Sequence, residues 1–149
     1  MPVELPRDEV VFTLNELIET CLDGQQGFLD AATHATNSEL KQMCMEYSRQ
    51  RARFAAELHE HVRRLGGRPD ESGSVAGALH RRWIDVKSAI VGRDDEAIVT
   101  ECNRGEDVAL ARYREALGRN LPVQSRAIAQ AQFDQISHAR DRIRALTSS

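Results

Sequence analysis

Eight residues, Leu40, Cys44, Tyr47, Arg51, Phe54, Leu58, His61 and Leu65, follow one another at steps of 4-3-4-3-4-3-4. Steps of three and four keep one side of an α-helix turned towards its neighbours, and this run holds it there for about seven turns. A helix so long with one unbroken seam belongs in a helical bundle. Two of its rungs, Arg51 and His61, are polar where an apolar side chain would pack best. A buried polar group finds a partner or costs roughly 1–3 kcal/mol. Such rungs either specify how the helices pair or build a site.

The rest of the chain supplies the partners. Asp8 can cap a first helix with the stripe Val11, Leu14, Ile18, Cys21, Gln25, Phe28 and Ala32, running to Ala35. Asn37 or Ser38 can cap the second, which Gly66-Gly67-Arg68-Pro69 stops near Leu65. The turn between them is short enough to force an antiparallel hairpin of helices each about 40 Å long. A polar linker, Asp70 to Ser74, precedes a shorter amphipathic piece with Val75, Leu79, Trp83, Val86 and Ile90 on one face. After Gly92-Arg93-Asp94-Asp95 a third long helix carries Ile98, Cys102, Gly105, Ala109, Tyr113 and Ala116 and closes at Gly118. Pro122 suits the first turn of a fourth, with Ile128, Phe133, Ile136, Ala139, Ile143 and Leu146 inward.

No stretch alternates with period two, so the expected fold is all-α. It is a single domain over residues 1–149, with four helices of about 25 to 30 residues and a short crossover helix between the second and third. If the crossover climbs the bundle, the second and third long helices run parallel, which is the ferritin-like connection. The alternative is an up-and-down array of five helices.

Several function classes do not fit. A net charge of −3 opposes general affinity for nucleic acid or anionic membranes, and no aromatic residues alternate with the arginines to stack bases. No apolar run approaches the roughly 18 residues of a membrane span. The start, MPVELPRDEVV, lacks a secretory pattern, so a cytoplasmic location is expected. Cys21, Cys44 and Cys102 lie in apolar stripes of three helices and read as core thiols. No phosphate loop or serine-histidine arrangement is present, and a catalytic role is not expected.

A carboxylate-bridged metal pair inside a bundle takes a Glu from each of two helices and a Glu-x-x-His from each of the others. Glu57 is followed three residues later by Glu60, with His61 one step further; His138 is preceded at three by Gln135. Glu16, Glu57, His61, Glu106 and His138 are nevertheless the candidate ligands for iron or another divalent metal. Counting helical rises puts Glu57 level with Glu16 but about 15 Å along the axis from His138. Near mid-bundle the count instead gathers Glu19, Asp23, Arg51, Glu106 and Asp134. We therefore expect Asp23, Arg51, Glu106 and Asp134 to form a buried salt-bridge layer that fixes helix register. Gly24, Gly27 and Gly105, inside helices, mark close helix approach or room for a small ligand.

With these residues in view, the chain resembles an uncharacterised bacterial family of four-helix-bundle proteins, a domain of unknown function in the ferritin-like superfamily. LNELIETCLDGQQGF (Leu14 to Phe28), RARFAAELHEHVRRLGGRPDESGSVAGALHRRW (Arg51 to Trp83) and RGEDVALARYREAL (Arg104 to Leu117) carry the resemblance. It covers almost the full length. It implies a fold and no established activity, and the superfamily's metal ligands do not transfer because the Glu-x-x-His pairs are missing. The expected role is that of a non-catalytic bundle, stress-related as some ferritin-like relatives are, acting as a homodimer or on a protein partner. A metal- or small-ligand-binding protein is the alternative.

Overall fold

The structure, a computed structural model, describes residues 3–69 and 94–146. Four α-helices make up its regular structure: α1 (Arg7–His34), α2 (Ser38–Arg64), α3 (Asp95–Leu117) and α4 (Val123–Ala145). The first two have 28 and 27 residues; α3 and α4, with 23 each, are shorter than expected. No strand occurs among the described residues. The crossover helix expected around Trp83 lies outside them.

Local chemistry sets most of the ends. Asn37 caps α2 by accepting from the Leu40 amide at 3.0 Å, and Asp94 caps α3 by accepting from Ala97 at 2.9 Å. Asp8 does not cap α1: the helix begins at Arg7 behind Pro6, whose fixed φ of −56° already suits a helix entry, leaving Asp8 in the first turn. Pro122 likewise precedes α4 rather than opening it. At the end of α2, Gly66 takes φ +82°, while the amides of Gly66 and Gly67 bond back to Arg63 and Val62. This left-handed stop is open to glycine at little steric cost. Gly67 then passes so close to Val11 that an added Cβ would lie 2.6 Å from its Cγ2, which pins the chain leaving α2 onto α1.

The turn between α1 and α2 fixes the topology. Asp95, at the start of α3, accepts from the amides of Thr36 and Asn37 at 2.9 and 2.8 Å and from the Thr36 hydroxyl at 3.0 Å. These bonds, the Thr36 amide first, hold the Asp95 carboxyl below its ordinary pKa. α3 therefore starts at the same end of the bundle as α2 and runs parallel to it, as the ferritin-like connection requires. α1 packs against α2 and α3, and α4 against α3 and α2, so the two parallel helices stand on a diagonal. The opposite end is closed by Arg126, which donates to the carbonyls of Leu117 and Arg119 at 2.8 and 2.6 Å.

All rungs of the α2 ladder from Leu40 to His61 are buried. On α3 the seam passes through Cys102, Glu106 and Ala109, so Gly105, expected inward, is exposed. On α4 it passes through Ser125, Ala129, Gln132, Ile136, Ala139 and Ile143, again at steps of four and three. Ile128 and Phe133, expected inward, are only half-buried at its edge.

Candidate functional site

The apolar interior falls into two blocks. One gathers Leu14, Leu17, Ile18, Phe54, Leu58, Leu110 and Ile136; the other, nearer the α1–α2 turn, gathers Phe28, Leu40, Met43, Tyr47, Ile98 and Ile143. Arg51 lies between Tyr47 and Phe54 on α2, and Glu106 between Cys102 and Ala109 on α3, which places both at the boundary between the blocks. Arg51 Nη1 and Nη2 donate to Glu106 Oε1 and Oε2 at 2.6 and 2.5 Å, with the two side chains 1% and 2% exposed. Nε donates to Gln50 at 3.2 Å, and the guanidinium carbon lies 5.2 Å from the centre of the Phe28 ring. Burial acts to lower the Arg51 pKa, but the charge and hydrogen bonds of Glu106 outweigh it and leave it above its ordinary value. Gly24 makes room for this arrangement, since a Cβ there would lie 3.3 Å from both Cγ and Nη1 of Arg51.

A second polar layer touches all four helices. The Tyr113 hydroxyl on α3 donates to Gln132 Oε1 on α4 at 2.6 Å. Its single proton is thereby used, so Cys21 on α1, 3.0 Å away, donates to it. Gln132 Nε2 in turn donates to Glu57 Oε1 on α2 at 2.7 Å and to the Phe54 carbonyl at 3.3 Å. Burial raises the Cys21 thiol to about 11 and the Tyr113 hydroxyl well above its ordinary range, so both keep their protons. Cys102 is likewise raised, by its contact with the Cys44 thiol and then by burial. A depressed pKa is what makes a thiol reactive, and these two are raised.

Below this layer His61, 4% exposed, pairs through Nε2 with Ser125 Oγ at 2.8 Å. Burial first, then the charge of Arg64, lowers its pKa from 6.5. A depressed folded-state pKa means that the unfolded chain takes up the proton more readily. The contribution to stability is then fully present above pH 6.5 and is lost as the pH falls from there through the folded value. The urea midpoint should thus drop more between pH 7.5 and 5.5 for the parent than for His61→Gln. Equal drops would show that the His61–Ser125 contact carries no such linkage.

The structure brings together only some of the expected site residues. Arg51 and Glu106 form the layer, and Asp23 lines the groove beside them. Asp134 does not join it. With the α4 seam at Gln132 and Ile136, Asp134 faces outward and accepts from Gln130 at 3.0 Å, and His138 is exposed for the same reason. Glu16 sits at the surface beside Arg119 at 3.4 Å. No three His, Cys, Asp or Glu side chains among the described residues are arranged to hold a metal ion. With Glu106 held by Arg51, Glu57 by Gln132 and His61 by Ser125, the donor set does not fit the carboxylate-bridged metal pair found in ferritin-like bundles. Gln132 and Ser125 were missed at the level of sequence because they are polar. Stepping back from Ile143 by fours and threes finds both.

Alongside the first layer lies a groove of about 260 Å³, lined by residues from Thr20 to Phe28 on α1, from Glu101 to Ala109 on α3, and by Arg51. No helix of the described residues is long and apolar enough to cross a membrane.

Residues 9–119 match a family described as a domain of unknown function (DUF2383). A comparison with curated proteins found no match. Among solved structures, the chain is similar to a two-domain protein from Anabaena variabilis containing DJ-1/ThiJ/PfpI-like and ferritin-like domains. The TM-score is 0.80 at 16% identity, over 96% of this chain and 40% of that one. The chain thus spans less than half of that protein's length. At such identity the likeness is one of fold, that of a ferritin-like four-helix bundle.

Proposed function

The chain belongs to the DUF2383 family, and for it we propose a non-catalytic role in which the bundle acts by binding, through association with a second copy of itself or with another protein. The observation that supports this reading is the commitment of the interior. The buried groups Glu106, His61, Tyr113 and Cys21, and the exposed Glu57 beside them, are each held by a partner on another helix. What remains for recognition is the outside, where Phe12 is 58% exposed on α1 and Leu29 and Met45 are also exposed. An interface that covered these side chains would remove apolar surface from water, which favours association.

Two measurements on the same preparation test the reading. Light scattering should give about twice the 16.7 kDa chain mass for a homodimer, or a stoichiometric complex once a protein partner is present. Elemental analysis of protein purified without chelator should find far less than one iron per chain. About two irons per chain, retained through dialysis, would overturn the reading in favour of metal binding by the bundle.

A further inference from the structure

Two of the three cysteines meet across the bundle. Cys44 on α2 and Cys102 on α3 are free, buried in the apolar block nearer the α1–α2 turn, and in contact through their thiols. We propose that this pair, reached through the groove along α1 and α3, binds one soft monovalent cation, copper(I), between its two sulfurs. A cation held in the interior goes beyond association through the surface.

The seams place the pair. Arg51 and Glu106 join α2 to α3. Cys44 stands seven residues before Arg51 and Cys102 four before Glu106, and because the two helices run parallel both thiols lie on the same side of that ion pair. At 1.5 Å per residue their levels along the axis differ by only about 4.5 Å. Cys44 is fully enclosed, whereas Cys102, 9% exposed, lines the groove. An ion travelling along the groove reaches one thiol first and finds the second behind it.

The ligand set selects the ion. Thiolate sulfur is a soft donor suited to copper(I). A structural zinc ion needs four ligands, and no three His, Cys, Asp or Glu side chains among the described residues are arranged to hold a metal. A filled-shell monovalent ion is satisfied by two sulfurs in line. Phe28, Leu40, Ile98 and Val99 of the same block bring no side-chain oxygen or nitrogen to compete. Binding breaks two S–H bonds and forms two S–Cu bonds; both protons leave to solvent and no electron is transferred. The site gains one net negative charge, which the nearby Glu101 and Glu106 carboxylates oppose. Retention against a competing chelator, and not uptake alone, is therefore the measure. Cys21 is the internal control, since it lies in the other apolar block and is engaged by the Tyr113 hydroxyl at 3.0 Å.

The test loads the full chain with copper(I) under anaerobic conditions and dialyses it against the copper(I) chelator bathocuproine disulfonate. One copper per chain should remain, and its X-ray absorption spectrum should show two sulfur neighbours with no nitrogen or oxygen. Cys44→Ala and Cys102→Ala should each release the metal to the chelator, whereas Cys21→Ala should keep it. The spectrum of the parent decides the coordination without any variant, should Cys44→Ala or Cys102→Ala not fold. The proposal is overturned if the chelator strips the parent, if the retained copper has nitrogen or oxygen neighbours, if folded Cys44→Ala or Cys102→Ala retains it, or if folded Cys21→Ala loses it.

Discussion

Replacing Arg51 by alanine is expected to destabilise the bundle by about 3–5 kcal/mol at neutral pH. The substitution removes the stem that packs between the two apolar blocks and leaves Glu106, 2% exposed, with neither counter-charge nor donor. Glu106→Gln should cost a similar amount for the mirror reason, because the guanidinium then stays buried against a neutral amide. Arg51→Met separates the two contributions. It restores most of the packing volume but still strands the carboxylate, so its stability should fall between that of Arg51→Ala and the parent. Urea melts of the three proteins read both contributions. An Arg51→Met variant as stable as the parent would show that packing, and not the orphaned charge, dominates.

Gln132→Leu carries the second large expectation, a loss of about 1–3 kcal/mol, even though leucine is the more apolar residue at a fully buried position. Tyr113 would lose its 2.6 Å acceptor, and Glu57 its 2.7 Å donor. Adding Tyr113→Phe should then cost little, because the hydroxyl it removes has already lost its main partner. If the two losses simply add, the four-helix relay from Cys21 to Glu57 is a set of independent contacts and not one network.

The seam of α2 could be read from sequence almost rung by rung because its spacing is strict and mostly apolar: the run from Leu40 to His61 is buried as its period demands. The Arg51–Glu106 pair was legible for the same reason, since a charged rung on a long seam calls for an opposite charge at its level. The chemistry of α4 was not. Its seam alternates alanine with Ser125 and Gln132, whereas bulkier Ile128 and Phe133 sit one position off it, so hydrophobicity alone pointed to the wrong stripe. That one-position error also carried Asp134 into the expected layer. On α3, only Gly105 was misplaced: a glycine looks apolar in a sequence, but the step from Cys102 to Ala109 falls on Glu106, the residue already expected in the layer. The groove could not be read at all, because it arises from how α1 and α3 pack and not from any residue spacing.

If Arg51 and Glu106 act as one unit that holds the two apolar blocks in register, a double-mutant cycle between them is the most direct measurement. Arg51→Met and Glu106→Leu should each be clearly destabilised, Arg51→Met by less than the about 3–5 kcal/mol of Arg51→Ala, whereas the double variant should fold with a stability within about 1 kcal/mol of the parent, or above it. A double variant that loses the sum of the two single changes would contradict the account, because each side chain would then contribute to the fold independently of the other.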